Sequence, residues 1–147
     1  MAMPFTHYLR VRYAECDAQQ VVFNANYGAY VDVAATEFMR LVWPGGYQTL
    51  LDLGMDTQVV QLNTGWKSSA KFDDVLAISV RTKSVGNTSY TLTLEFRNHE
   101  TQAVVAESEI VYVMISVQSL KSVPIPDDLR AKLEVGAPDQ FTNHAGI

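Results

Sequence analysis

The sequence predicts an α+β fold, one long apolar helix against an antiparallel sheet, and three observations lead there. The stretch Ala25 to Val42 has no proline, is rich in alanine and places apolar residues at helical spacing. From Thr57 onward the period changes to two, in runs broken by Asp73-Asp74, Gly86-Asn87 and the polar segment His99 to Gln102. Helix and strands are therefore segregated along the chain, which fits α+β rather than alternating βαβ units.

Each element follows from its own residues. From Thr6 to Tyr13, His7, Leu9, Val11 and Tyr13 alternate with Tyr8, Arg10 and Arg12, so a half-buried strand opens the fold. Asn24 is a good N-cap for a helix over Ala25 to Val42, with Tyr30, Val33, Ala34, Phe38 and Leu41 at apolar positions and Asp32, Thr36 and Arg40 on another side. So much of it is small or apolar that deep burial is expected. Pro44-Gly45-Gly46 breaks it, and Tyr47 to Leu53 reads as a short helix stopped at Gly54. Strands are predicted over Thr57 to Thr64, Lys67 to Phe72, Val75 to Val85, Thr88 to Asn98 and Ala103 to Val117. Tyr90, Leu92, Leu94 and Phe96 give the clearest alternation. Pro124 to Asp128 starts a short helix reaching about Leu133, with Asp127 and Asp128 in its acid-favouring first turn. The tail from Gly136 to Ile147 reads as loosely ordered. The expectation is a single domain over residues 1–147, its long central helix wrapped by a curved antiparallel sheet.

Composition narrows the function. A net charge of −5 with 11 basic residues, nowhere clustered, opposes a nucleic-acid partner. Asp32, Glu37 and Arg40 interrupt the longest apolar run, so no membrane span is expected, and the first residues lack the basic and apolar regions of a signal peptide. A cytoplasmic location follows as an expectation. One cysteine, Cys16, and three scattered histidines offer no disulfide and no metal-ligand spacing.

The residues that carry chemistry lie between the first strand and the helix. Arg12-Tyr13-Ala14-Glu15-Cys16-Asp17-Ala18-Gln19-Gln20-Val21-Val22-Phe23-Asn24-Ala25-Asn26-Tyr27 delivers a carboxylate just after a strand and then a helix start. Cleaving an acyl ester or thioester needs a base or nucleophile near the carbonyl carbon and donors at the oxygen that becomes negative. The free N–H groups of a helix start supply such donors without any side chain.

Arg-x-Arg-Tyr-x-Glu-x-Asp-Ala-x-x-Val-Val-Phe-x-Ala-Asn-Tyr resembles the signature of the hot-dog acyl-CoA thioesterases of the 4-hydroxybenzoyl-CoA thioesterase type. Ser69-Ala70-Lys71-Phe72-Asp73-Asp74-Val75-Leu76, Gly86-Asn87-Thr88-Ser89-Tyr90 and Pro124-Ile125-Pro126-Asp127 are similar to later landmarks of that family, so the resemblance covers roughly residues 5 to 133. It implies hydrolysis of acyl-CoA to free acid and coenzyme A, with no cofactor beyond the coenzyme A that belongs to the substrate. It implies that Asp17 is the essential carboxylate, nucleophile or general base, that Asn24 and Ala25 act through their backbone N–H groups, and that Tyr13 orients the carboxylate or acyl group.

Two positions depart from the pattern: Gln20 stands where many relatives have Gly, and Asn24 where they have His, which removes a titratable group near the leaving thiolate. Asp32, Tyr47 and Trp66 are candidates for the acyl pocket. Lys83, Thr88 and Ser89 are candidates for coenzyme A, with Lys67, Lys71 and Arg81 as further cations. The family's sites form at subunit interfaces, so a homodimer or dimer of dimers is expected. A catalytically silent acyl-thioester binder and a thioesterase acting on acyl carrier protein remain as alternatives.

Overall fold

The computed structural model describes residues 2–147. In chain order it contains β1 (Phe5–Arg10), 3-10 turns at Tyr13–Glu15 and Asn24–Asn26, α1 (Tyr27–Val42), α2 (Tyr47–Asp52), β2 (Met55–Trp66), β3 (Val75–Val85), β4 (Ser89–Asn98), β5 (Val104–Ser116), α3 (Asp127–Val135) and β6 (Phe141–His144). The six strands form one open sheet in the order β2-β5-β4-β3-β1-β6. All pairings are antiparallel except β6 against β1.

Alternation in the sequence becomes the inner and outer faces of this sheet. Leu76, Ile78 and Val80 of β3 and Tyr90, Leu92, Leu94 and Phe96 of β4 are buried, while Ser79, Thr93 and Glu95 lie outward. Onto the inner face α1 places Tyr27, Tyr30, Val31, Ala34, Ala35, Phe38, Met39 and Val42. Its opposite side, with Asp32, Val33, Arg40 and Leu41, stays exposed, so the helix lies on an open sheet instead of being enclosed by it. Trp43, fully buried, closes the C-terminal end of α1 and donates its indole N–H to the Leu129 carbonyl of α3 at 3.2 Å.

Four expectations are corrected. The first strand ends at Arg10, and Tyr13 belongs to a 3-10 turn because Arg12 is capped by the Glu15 side chain. The long helix is regular only from Tyr27, since Asn24–Asn26 form a tighter turn and the Asn26 side chain is drawn away to the Glu15 carbonyl. Lys67 to Phe72 is a connector rather than a strand. Ser68 folds onto the carbonyls of Val104 and Val105, Asp73 takes φ +71, and only Lys71 pairs, with Val21. The tail contains β6, which makes the sheet mixed. Its four polar or exposed residues pair in parallel with β1, and side chains add to this: His7 Nδ1 shares a hydrogen bond with the Thr142 hydroxyl, and just past β6 Arg10 Nε donates to the Ala145 carbonyl at 3.1 Å. His7 is itself fully buried. Burial first and then the His144 charge lower its imidazole to about 4, against the opposing pull of Glu37.

Candidate active site

Between β1 and α1 the chain makes a small hairpin. Its stem is Glu15, whose amide donates to the Arg12 carbonyl at 3.0 Å and whose carbonyl accepts from the Phe23 amide at 2.9 Å and the Asn26 side-chain amide at 2.8 Å. Cys16 and Val22 bridge above it, and Asp17 and Gln20 close the tip, with the Asp17 amide donating to the Val21 carbonyl and the Gln20 amide to the Asp17 carbonyl, both at 2.9 Å. On its far side the hairpin is tied to the connector: the Val22 amide donates to the Ala70 carbonyl at 2.8 Å.

Gln20 explains one departure from the family pattern. Its φ of +66 lies in the left-handed region where glycine is at ease and a side chain costs about 1 kcal/mol.

Asp17 is partly exposed at this tip, its Oδ1 accepting only the Gln19 amide at 2.8 Å among the described residues. The hairpin returns the chain so that Asn24 and Ala25 start the helical run one residue after Phe23 meets Glu15. Amides opening such a run have no carbonyl one turn back, and both residues are exposed. Asp17 and these two amides therefore lie on one short hairpin and the turn that follows it.

Glu15 was quoted in the motif but given no role, and it is the most heavily bonded side chain there. Oε1 accepts from the Arg12 amide and the Tyr30 hydroxyl, both at 2.8 Å. Oε2 accepts from Arg12 Nε at 3.1 Å and Nη2 at 2.8 Å. Its burial raises the carboxyl, but the Arg12 and Tyr30 hydrogen bonds and the Arg12 charge outweigh that and hold it below the usual carboxylate range. The partner Tyr30 is pushed well above its own range by burial and by Glu15. The signal for this clamp was Tyr30, but it lies fifteen residues downstream and only the fold joins the two.

The other candidates divide by position. Tyr13 is 79% exposed with its ring edge on Phe72 at 5.7 Å between centroids, so it is free of the core. Trp66 packs against Tyr27 at 5.7 Å, at the start of α1. Farther along the helix, burial and then the Asp32 charge raise the Tyr47 hydroxyl, against a hydrogen bond with Thr57, so Asp32 and Tyr47 share one neighbourhood. Trp66 thus borders the start of α1, while Asp32, on the exposed side of the helix, lies close enough to Tyr47 for its charge to be felt there.

Thr88 and Ser89 are elsewhere. They sit at the β3–β4 connection, Thr88 in the turn and Ser89 opening β4, whereas the Asp17 hairpin is anchored at Lys71, before β3 begins. Eleven residues of strand at about 3.3 Å each put roughly 30 Å between the two ends. Lys83 lies near that far end and is paired with Glu109 at 2.6 Å. A cation the sequence reading missed is also there: Arg130 of α3 donates to the Val85 and Asn87 carbonyls, both at 3.4 Å. Its packing beside the turn is a tertiary contact with no local pattern. Among the described residues no three His, Cys, Asp or Glu side chains converge to hold a metal ion, and no helix is long and apolar enough to cross a membrane.

Comparison with known proteins places this geometry. The chain is 26% identical over 123 residues to a putative esterase of Aquifex aeolicus (strain VF5), covering 83% of this chain and 93% of that protein. It is 27% identical over 135 residues to the 4-hydroxybenzoyl-CoA thioesterase of Pseudomonas sp. (strain CBS-3), covering 87% and 96% respectively. In structure it is similar to a hypothetical protein from Aquifex aeolicus with a TM-score of 0.81 and 25% identity, over 88% of this chain and 99% of the other. Solved structures named as thioesterases are among its neighbours, and the fold is the hot-dog fold. Because the family model of the thioesterase-like superfamily matches residues 11–133, spanning the Asp17 hairpin, α1, strands β2 to β5 and most of α3, this chain belongs to that superfamily.

Proposed function

We propose that this chain hydrolyses acyl-CoA thioesters to the free acid and coenzyme A, with Asp17 as the catalytic carboxylate and the Asn24 and Ala25 amides as the oxyanion donors. The observation that carries it is the hairpin itself, which joins an underbonded, accessible carboxylate to a helix start with free amides. As an oxygen bonds to the thioester carbonyl carbon, negative charge gathers on the carbonyl oxygen, where preorganised N–H groups stabilise it. Asp17 either takes the proton of the attacking water or attacks first itself. In the first route the C–S bond breaks, the thiolate leaves and takes up that proton, and the acid is released; in the second the C–S bond breaks as a mixed anhydride forms on Asp17, the thiolate leaves and is protonated, and water then cleaves the anhydride to the free acid and the Asp17 carboxylate. Asn24 cannot titrate, and a thiolate needs no proton carrier to leave. No cofactor enters.

The acyl group lies along the α1–β2 side, from Trp66 toward Asp32 and Tyr47. From Asn24 to Asp32 the helical rise gives about 12 Å, room for an aryl or medium-length acyl group. Coenzyme A is held by Thr88 and Ser89, with Lys83 and Arg130 nearby, but these come from a second copy because β3 separates them from Asp17 in one chain. The acting form is accordingly a homodimer or a dimer of dimers. The long edge strand β2, with Val59, Val60, Leu62 and Trp66 exposed, supports such pairing. Tyr13, well exposed beside the hairpin, contacts the acyl group or the carboxylate.

The test is a panel of short, long and aromatic acyl-CoAs, with the same acyl groups on acyl carrier protein, read by free thiol release. Hydrolysis of at least one acyl-CoA is expected. Binding of acyl-CoA with no thiol released from any would overturn the reading, as would full activity in a species that sediments as a monomer at micromolar concentration overturn the shared site.

A further inference from the structure

The hairpin that carries Asp17 has almost nothing of its own to hold it in place. Above Glu15 there is one bridge, Cys16 with Val22, and a tip with a strained Gln20. The Asp17 side chain has a single hydrogen bond, to a residue of the same turn, and such a bond shapes the turn without fixing where the turn stands. The position of its carboxylate relative to the Asn24 and Ala25 amides must therefore be set from below.

The connector holds the returning strand of the hairpin, through Val21 with Lys71 and Val22 with Ala70, but the stem is what links the hairpin to the residues around Asn24 and Ala25. Glu15 contacts the residues on either side of Asn24 and Ala25 and the chain leading into the hairpin, without facing the tip itself. Through its carbonyl it holds the Phe23 amide and the Asn26 side chain, the residues that flank Asn24 and Ala25. Through its carboxylate it grips Tyr30, one turn into α1, and the Arg12 guanidinium and amide on the incoming chain. Its side chain is 14% exposed, so these bonds form in surroundings where water competes poorly. Arg12, by contrast, is 80% exposed on its side chain, and as a surface ion pair alone it would add little. The Tyr30 hydroxyl gives the arrangement its reach, because it belongs to the helix core and is buried with it.

We propose that Glu15 is a positioning residue for the thioester hydrolysis: clamped between Arg12 and Tyr30, it holds the Asp17 hairpin in register with the free amides of Asn24 and Ala25. It touches neither substrate nor the reacting atoms. Misplacement of a catalytic group by about 1 Å can cost on the order of 100-fold in rate, so a clamp of this kind acts on kcat. The inference rests on the reading of Asp17 as the catalytic carboxylate.

The experiment is a kinetic double-mutant cycle between Glu15→Gln and Asp17→Asn, read by thiol release from an acyl-CoA the native protein hydrolyses. Glutamine keeps the shape but turns an acceptor into a donor facing Arg12. Glu15→Gln alone is expected to lower kcat about 10-fold with KM within about twofold. In the Asp17→Asn background the same change is expected to cost less than about twofold further, because there is no carboxylate left to position. Equal losses in both backgrounds would mean a merely structural role and overturn the proposal, and so would an unchanged kcat in the single variant. Should Glu15→Gln fail to fold, Tyr30→Phe removes one bond of the clamp and is expected to show the same non-additive pattern at about threefold. If Asp17→Asn alone leaves the rate at the parental level, the reading of Asp17 fails instead, which the cycle reports separately.

Discussion

The stem of the active-site hairpin and its tip are built on opposite terms. At the stem Glu15 takes four hydrogen bonds on its two carboxylate oxygens, while two residues later Asp17 takes one from within its own turn. A carboxylate so thoroughly satisfied has little basicity left to use, whereas one with open lone pairs and access to solvent can accept a proton or attack a carbon. On the proposed reading, the same sequence motif spends one acid on architecture and keeps the other for chemistry. Position within the motif does not reveal which is which; the partners do.

The first way to break this comparison is to exchange function and stability between the two acids. Asp17→Asn is expected to cut kcat at least about 100-fold, the scale of losing a general base, with thermal stability nearly unchanged. A large fall in Tm with kcat retained would reverse the roles assigned to tip and stem.

The next largest effect concerns what the stem rests on. His7 and His144 border the same cavity of about 240 Å³ as Arg12, Glu15 and Tyr30. Because His7 is held neutral, with its folded value lowered from 6.5 to about 4, the unfolded chain binds more protons between those two values. Stability is therefore full above about pH 6.5 and declines as the pH falls toward 4, by about 1 kcal/mol per pH unit. The Glu15 carboxyl, also lowered in the fold, adds its own loss only below its ordinary 4.5. Melting curves from pH 7 to 5 should show the slope in the native protein and a flatter one in His7→Gln. An unchanged slope in that variant would remove His7 as its source.

Tyr30→Phe deletes one bond of the clamp and leaves Arg12 in place. A stability loss of about 1–2 kcal/mol is expected in urea unfolding, in line with a buried hydrogen bond to a charged acceptor. The smallest effect belongs to the tip. Gln20→Gly relieves the left-handed φ of +66 at the cost of a freer unfolded chain, so a gain of about 0.5 kcal/mol with kcat within twofold is expected. Destabilisation would show that the Gln20 side chain has a role beyond the turn.

How much of this was legible in the sequence depends on whether the cause was local. The alternation of Val75 to Val85 gave β3 at its observed bounds, and the apolar spacing after Asn24 gave α1. The strand β6 was not legible, because Phe141-Thr142-Asn143-His144 has no apolar alternation and is held by His7, 135 residues away from Thr142. Lys67 to Phe72 alternated like a strand, yet Asp73 in a left-handed turn and the bonds of Ser68 to the end of β5 made it a connector. At the site, the motif singled out Asp17, and the helix start singled out the Asn24 and Ala25 amides, as candidates. The helix began two residues later than the apolar pattern implied, since Asn24 opens a 3-10 turn instead of capping α1, whose N-cap is Asn26. The Glu15 clamp and the Arg130 contact with the β3–β4 turn join distant residues, so no local pattern announced them.

The central claim, that Asp17 performs the hydrolysis on substrate bound elsewhere, is tested most directly by mixing Asp17→Asn in excess with a hydrolysable acyl-CoA and following a single turnover beside an equilibrium binding measurement. The account predicts an affinity within a few-fold of the native protein and a bound thioester that stays intact at least about 100 times longer. Release of free thiol at close to the native single-turnover rate would contradict it.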